Sequence, residues 1–285
     1  MNNNKQLIGS GEFGNVYKGT LVKQGFSMSV AVKTTKPYSN AQHLRAMLQE
    51  VKTMMYVGQH PQIVTLIGCC TLNIREGYLF IVMEHCEKGS LETYLKANQG
   101  NFINHARKGK LEPVAPQCVL QPGNTASYIE IVSNSSLVTF NKSGTFDINQ
   151  LITWSIEIAE GMEYLTSKKV IHGDLSARNI LLNSNNGAKI SDFGLSRKMY
   201  RCSYKTNGEE PLPWRWLALE TLRNLEFSIE SDIWSYGILL WEIFMLGEQP
   251  YPGVPSLTTT FIVNMEQGVR LTIPAFATSE WCVNY

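Results

Sequence analysis

The chain has almost no net charge: 25 Lys and Arg stand against 24 Asp and Glu, a formal +1 over 285 residues. A protein that grips nucleic acid through its phosphates needs an excess of cations and an acidic tail needs the reverse, so both are set aside. Cysteine is sparse: of six, Cys69 and Cys70 are adjacent and the rest are scattered, with no C-x-x-C pair suited to zinc. Reduced thiols are the plain reading, and the N-x-S sequences at Asn134 and Asn141 then carry no glycan. Long apolar runs are lacking too. Ile233 to Leu246, the most apolar stretch, is too short to cross a bilayer and contains Glu242, so it reads as a buried helix. Met1 to Lys5 is polar and has no signal-peptide core, and no internal repeat is visible. The chain as given is expected to be soluble.

What is present is a globular balance, 44% apolar and 17% charged, at a length that suits a two-lobed enzyme with a shared cleft. Leu7–Ile8, Val16–Tyr17 and Val30–Val32 read as short strands between Gly-rich turns. Ser39 to Tyr56 reads as a helix, with Leu44, Met47, Leu48, Val51, Met54 and Met55 at helical spacing and Ser39 as its cap. Ile63–Leu66 and Tyr78–Met83 add strands. After Lys96 the composition turns to Asn, Ser, Gly, Pro and Gln without a period, which predicts a flexible insertion over 97–146. Helical spacing resumes at Asp147, with Leu151, Ser155, Ile158, Ala159, Met162 and Leu165 on one face. Asp147 and Gln150 have capping-box spacing.

Gly9-Ser10-Gly11-Glu12-Phe13-Gly14-Asn15-Val16 is a G-x-G-x-x-G-x-V loop. Alone it serves a hairpin turn or a dinucleotide site equally well. A dinucleotide loop opens a helix, however, and Val16-Tyr17-Lys18-Gly19 continues as a strand. Such a loop can lie over a triphosphate with its N–H groups inward. In Ala31-Val32-Lys33 an apolar-flanked lysine calls for an anion, which phosphate supplies, and Glu50 on the following helix is the candidate second partner. Taken alone, these two are an ordinary solvated pair. Further along stands Ile171-His172-Gly173-Asp174-Leu175-Ser176-Ala177-Arg178-Asn179, and thirteen residues past Asn179 comes Asp192-Phe193-Gly194. Asp174 can accept or orient a hydroxyl proton, and Asn179 and Asp192 are hard oxygen ligands suited to Mg²⁺ that bridges phosphates. A lone Asp-Phe-Gly means nothing; these elements in this order leave little room for chance.

With these motifs the sequence resembles protein kinases from Leu7 to about Thr278. The Asp-Leu-Ser-Ala-Arg-Asn run has the receptor tyrosine kinase form, with Ser176 where serine/threonine kinases carry Lys. Leu212-Pro213-Trp214-Arg215-Trp216 resembles the tyrosine kinase substrate-docking segment. Ser231 to Gly237 resembles the helix whose Asp anchors the catalytic loop. The insertion, Ala159 to Leu165 and Pro250 to Val254 are similar to the split-kinase receptors for platelet-derived and vascular endothelial growth factors, and an invertebrate member is the expectation. Fibroblast growth factor receptors, with a shorter insertion, are the near alternative.

The resemblance implies an α+β two-lobed fold: residues 1–86 as a β-rich N-lobe with one helix, and 87–285 as a mainly helical C-lobe. It implies catalytic roles for Asp174, Lys33, Glu50 and Arg178, and metal binding by Asn179 and Asp192. ATP would meet Ile8, Gly9, Gly11, Gly14, Val16, Ala31, Lys33, Met83, Glu84, Cys86 and Leu181. Met83 would be the gatekeeper, Glu84-His85-Cys86 the hinge, and Val16, Ala31 and Leu181 the purine sandwich. Met54, Leu66, His172 and Phe193 would stack as a spine. The implied cofactors are ATP and Mg²⁺, with Mn²⁺ an admissible substitute. The implied partners are tyrosine substrates including the chain itself in trans, and phosphotyrosine-binding adaptors docked through the insertion, for which Tyr128 is the candidate. The parent would be a ligand-dimerised single-pass receptor with this domain on the cytoplasmic side of the plasma membrane. The alternative is a pseudokinase scaffold that binds nucleotide and partners without efficient catalysis.

Two positions depart from the family pattern. Gly173 replaces the arginine that pairs with a phosphorylated activation-loop tyrosine, so activity is expected to depend less on phosphorylation of Tyr200 and Tyr204, the expected sites among Arg197, Lys198, Arg201 and Lys205. Leu219 replaces the proline of Ala-Pro-Glu, and the arginine that should neutralise Glu220 belongs beyond Tyr285. The chain is accordingly expected to be a marginally stable fragment, its final helices missing and its first strand clipped.

Overall fold

A computed structural model describes residues 6–11, 14–23, 25–36, 41–103, 145–198, 203–205 and 212–274, with the backbone alone for 197–198 and 203–205. Strands β1 (Gln6–Ser10), β2 (Gly14–Lys23) and β3 (Phe26–Thr35) run antiparallel in sequence, followed by helix α1 (Ala41–Val57) and strands β4 (Leu66–Cys70) and β5 (Phe80–Glu84). Together the strands form one sheet in the order β1-β2-β3-β5-β4. The apolar stripe of α1 holds it to this sheet: Met47 and Val51 are buried with Leu79 and Ile81. Met54 is buried on the same face one turn later and reaches the main core, whereas Met55 is exposed. The Ser39 cap lies outside the described residues.

The second half builds a helical lobe. Strand β6 (Gly89–Ser90) leads into α2 (Leu91–Ala97), where the Ser90 hydroxyl accepts from Thr93 N–H. Strands β7 (Phe102–Ile103) and β8 (Phe146–Asp147) pair in parallel before α3 (Ile148–Ser167). Next come β9 (Val170–Ile171), β10 (Ile180–Leu182), β11 (Ala188–Ile190), β12 (Arg197–Lys198) and β13 (Ser203–Lys205). The described elements end with α4 (Leu219–Asn224), β14 (Glu226–Ser228), α5 (Ile229–Phe244) and α6 (Thr259–Glu266). Leu151, Trp154, Ile158 and Leu165 of α3 share one buried cluster with Leu239 and Ile243 of α5, Leu91 and Leu95 of α2, and Phe193. Each such side chain contributes about 1.5–3 kcal/mol by leaving water.

Asp147 caps α3 as its spacing predicts, its carboxylate accepting from the N–H groups of Asn149 and Gln150. The buried face includes Trp154 and Gly161, and Ala159 is exposed instead. Gly161 sits at a close approach: a Cβ there would stand 2.7 Å from Ile190 Cδ1 and 3.2 Å from Gln62 O, so neighbours would have to shift. Ile63 and Val64 are buried but lie ahead of the β4 strand. The backbone on either side of Ile63 bonds to β11, with Val64 N–H donating to Ile190 O and Ile190 N–H to Gln62 O. Regular structure runs through Ile103 and resumes by Phe146, so the ends of the expected insertion are folded, and its body at 104–144, with Tyr128, lies outside the described residues. Glu220 is exposed on α4, so the buried-charge penalty expected of it does not arise.

Candidate active site

The Gly-rich loop joins two paired strands, and Gly11 N–H donates to Gly14 O across it at 2.9 Å. This strand–loop–strand geometry sets aside the dinucleotide reading of the motif. Gly14 is needed where it stands, because a Cβ would fall 2.5 Å from Thr34 O. Gly9 sits opposite Val16, and Ile8 precedes it with its side chain exposed. Val16 in turn pairs with Lys33 on β3, while Ala31 pairs with Met83 on β5. Ala31 and Lys33 therefore share one face of the sheet. Leu181 on β10 and Met83 both pack against the main core.

Lys33 is the electrostatic centre. Its Nζ donates to both carboxylate oxygens of Glu50, at 2.8 and 2.7 Å, and to Asp192 Oδ1 at 3.2 Å. Lys33 is 6% exposed and Glu50 1%, while the Asp192 side chain remains 44% exposed to the cleft. Burial alone would lower the ammonium pKa, but Asp192 and then Glu50 reverse this and hold it well above its usual value. Lys33 in return holds the Asp192 carboxyl below the usual carboxylate range.

The catalytic-loop sequence is fixed from beneath by Asp232 of α5. Its carboxylate accepts from His172 N–H at 2.6 Å and from Gly173 N–H at 2.9 Å. Gly173 has φ +78°, a left-handed conformation that glycine takes without penalty. Burial pushes the Asp232 carboxyl up to about 7, against the pull of those two N–H groups. His172 is neutral: burial lowers its pKa to about 4, its Nε2 lies 3.0 Å from Ser191 O, and Asp174 N–H donates to Nδ1. Its ring packs against Phe193 at 5.5 Å. Of the other two residues expected in a spine, Met54 is buried in the same core as Phe193 and Leu66 packs against that core.

Asp174 ion-pairs with Arg178 and accepts from Asn179 Nδ2 at 2.8 Å. The same Nδ2 also donates to Asp174 O, which leaves Asn179 Oδ1 as the amide's hard acceptor. Burial raises the Asp174 carboxyl to about 6, with Arg178 opposing. Asp192 adopts φ +60° before the buried Phe193. Among the described residues no three His, Cys, Asp or Glu side chains form a metal cage. An Asn–Asp pair fits a hard divalent cation that takes its other oxygens from phosphates and water, the usual habit of Mg²⁺.

At the hinge, Glu84 turns its carboxylate to Thr65 N–H at 2.6 Å and Lys189 Nζ at 3.1 Å, and Cys86 is buried with its thiol pushed up to about 12 by desolvation. In the docking segment, Arg215 donates to the carbonyls of Pro250, Tyr251 and Val254, and its guanidinium lies over Trp214. Tyr200 lies outside the described residues, and only the backbone of Tyr204 is described, paired with Phe227. Sequence reasoning missed the Glu84–Lys189 pair and the partners of Glu242, whose carboxylate takes Ala177 N–H and Trp216 Nε1–H. A lone carboxylate in the apolar run Ile233–Leu246 was the available signal.

A lobe built on a Gly-looped sheet and set beside a helical lobe, with Lys33 and Glu50 of the first joined to Asp192 of the second, is the architecture of a phosphotransferase. The model of the protein tyrosine and serine/threonine kinase family matches residues 3–283, and the chain belongs to that family. It is 34% identical over 300 residues to vascular endothelial growth factor receptor 2 of Danio rerio, and 36% over 299 to vascular endothelial growth factor receptor 1 of Rattus norvegicus. To mast/stem cell growth factor receptor Kit of Takifugu rubripes it is 36% identical over 310 residues. Each alignment covers 96% of this chain but only 22%, 22% and 31% of those relatives, so the chain spans at most a third of their length. It is a tyrosine kinase domain homologous to growth factor receptor kinases, and its family uses ATP, a divalent metal ion and protein substrates.

Proposed function

We propose that this domain transfers the γ-phosphate of Mg-ATP to tyrosine hydroxyls, including its own in trans, as the cytoplasmic signalling domain of a dimerising single-pass growth-factor receptor. The observation that carries this is that separate motifs assemble two hydrogen-bonded groups, Lys33–Glu50–Asp192 and Asp174–Asn179, held side by side by Ser191, which precedes Asp192 and donates its hydroxyl proton to Asn179 O at 2.7 Å. In this reading residues 1–86 cap the nucleotide and 87–285 hold the substrate. The Gly9–Gly14 loop and Lys33 hold the phosphates, and Glu50 keeps Lys33 in place. Ile8, Val16, Ala31, Met83 and Leu181 enclose the purine, and the main chain of Glu84 and Cys86 meets its edge. Asn179 and Asp192 hold Mg²⁺, which when bound neutralises phosphate charge. Asp174 accepts the tyrosine proton, and Arg178 holds the Asp174 carboxylate in orientation. Positioning and charge neutralisation supply most of the rate enhancement.

A scaffold without catalysis is disfavoured, since each charged group the reaction needs is present and engaged. Tyr200 and Tyr204 are the proposed autophosphorylation sites and Tyr128 the proposed adaptor site. With Gly173 unable to pair with a phosphate, replacing Tyr200 and Tyr204 by Phe should leave turnover largely intact; abolished turnover would refute that. The central test measures phosphotyrosine on poly-Glu/Tyr with Mg-ATP for wild type and Asp174→Asn, after ATP-induced thermal stabilisation has shown both to be folded. The expected loss in Asp174→Asn is at least about 10³-fold in kcat. ATP stabilisation of the wild type without phosphotyrosine would point to the scaffold.

A further inference from the structure

Glu242 is an acid on an otherwise apolar stretch of α5, 2% exposed, and none of the roles above uses it. One of its oxygens, Oε2, accepts from Ala177 N–H at 2.9 Å and from the Trp216 indole N–H at 2.7 Å. Those donors belong to the catalytic loop and to the end of the docking segment, which are 39 residues apart in the chain (216 minus 177). The guanidinium of Arg178 lies over the Trp216 ring at 4.3 Å, and the same guanidinium ion-pairs with Asp174. Ser235, two turns earlier on α5, donates its hydroxyl proton to Trp216 O at 2.8 Å and fixes the main chain of that residue. A contiguous set of contacts thus runs from Glu242 through the indole and the guanidinium to the carboxylate at the reaction centre.

We infer that Glu242 is a positioning residue for phosphoryl transfer: by holding the Trp216 indole and the Ala177 turn, it sets the orientation of Arg178 and through it that of Asp174. The inference rests on the kinase reading. An indole free to rotate would no longer present its face to the guanidinium, and the cation–π attraction between them would be lost. Asp174 would then keep its charge and lose its aim. ATP contacts are made elsewhere, by the Gly-rich loop and Lys33, so the effect falls on kcat and spares the KM for ATP.

The variants are Glu242→Gln, Glu242→Leu, Trp216→Phe and the double variant Trp216→Phe/Glu242→Leu, assayed beside wild type and Asp174→Asn for kcat and KM on poly-Glu/Tyr. ATP-induced thermal stabilisation reports folding. Trp216→Phe keeps a ring beneath Arg178 but deletes the N–H; it should lower kcat about tenfold with the KM for ATP within about twofold. Glu242→Gln offers an amide oxygen to the same donors and should stay within about threefold of wild type, whereas Glu242→Leu should lose about 30-fold or more. The double variant should be no slower than Glu242→Leu, because both changes cut the same link. Wild-type kcat in Trp216→Phe overturns the inference even if Glu242→Leu fails to fold. So do multiplying effects in the double variant, or a Glu242→Gln as slow as Glu242→Leu. A folded wild type that makes no phosphotyrosine overturns the kinase reading, and the inference falls with it.

Discussion

Asp174 has its proton affinity set by opposing effects of burial and neighbouring donors. Burial lifts its pKa to about 6, and Arg178 and Asn179 pull the other way without cancelling the rise. As the proposed base, Asp174 must be deprotonated to accept the tyrosine proton, so turnover should be retained above pH 6 and lost as the pH falls through it. A pH–kcat profile should show an acid limb near pH 6, declining about tenfold per unit below it; a flat profile down to pH 5 would remove Asp174 from that role. Next to it, Gly173 carries φ +78° while its N–H is held by Asp232. Gly173→Ala keeps the N–H but places a Cβ in left-handed backbone, at a cost of about 1–2 kcal/mol that denaturant unfolding should register. At this scale the motif residues were legible because each is marked by its neighbours in sequence. Glu242 was not, since Ala177 and Trp216 reach it from distant parts of the chain. The positive φ of Asp192 was equally hidden, because aspartate carries no local mark of left-handed backbone as glycine does.

Helices α3 and α5 show which elements can be read in advance. The start of α3 was legible from Asp147, whose carboxylate accepts the N–H groups it was expected to satisfy. The Ile63–Leu66 segment was read as a strand from its apolar run; Leu66 does open β4, but Ile63 and Val64 meet β11 across the lobes, a partner that no local pattern reveals. The folded ends of the insertion were missed for a related reason: Phe102 and Phe146, 44 positions apart (146 minus 102), pair only once the chain has folded. For α5, Ser228 and Ser231 form a reciprocal capping box, each hydroxyl accepting the other's N–H. Ser228→Ala should cost about 1 kcal/mol. In a domain of this size that lowers Tm by about 2–4 °C. Asp232 lies in the first turn but is held by its own bonds to the His172 and Gly173 N–H groups, and Glu242 lies near the far end of the helix, so kcat at 25 °C should hold. A fall in kcat larger than the fall in folded fraction would show that the helix start is coupled to the loop it supports.

At the scale of the whole molecule, three segments from two lobes meet on one ammonium. Lys33 comes from β3, Glu50 from α1, and Asp192 from the segment after β11. The two contacts are unequal. Lys33 and Glu50 are both buried, so truncating one strands a charge in a medium that cannot solvate it, at a typical cost of about 3–5 kcal/mol. Asp192 is partly open to the cleft, and water screens its share. Glu50→Ala should therefore cost about 3–5 kcal/mol in urea unfolding, with little change between low and moderate salt, since buried pairs are weakly screened. Catalysis should suffer as well. Freed from Glu50, the ammonium is drawn to Asp192 alone, and it then competes with the cation that Asp192 is proposed to hold. The KM for ATP should rise about tenfold, and raising the Mg²⁺ concentration should recover part of it by mass action. If Glu50→Ala unfolds at the wild-type urea concentration and binds ATP normally, the buried pair supports neither the fold nor the site, and Lys33 must be held by Asp192 alone.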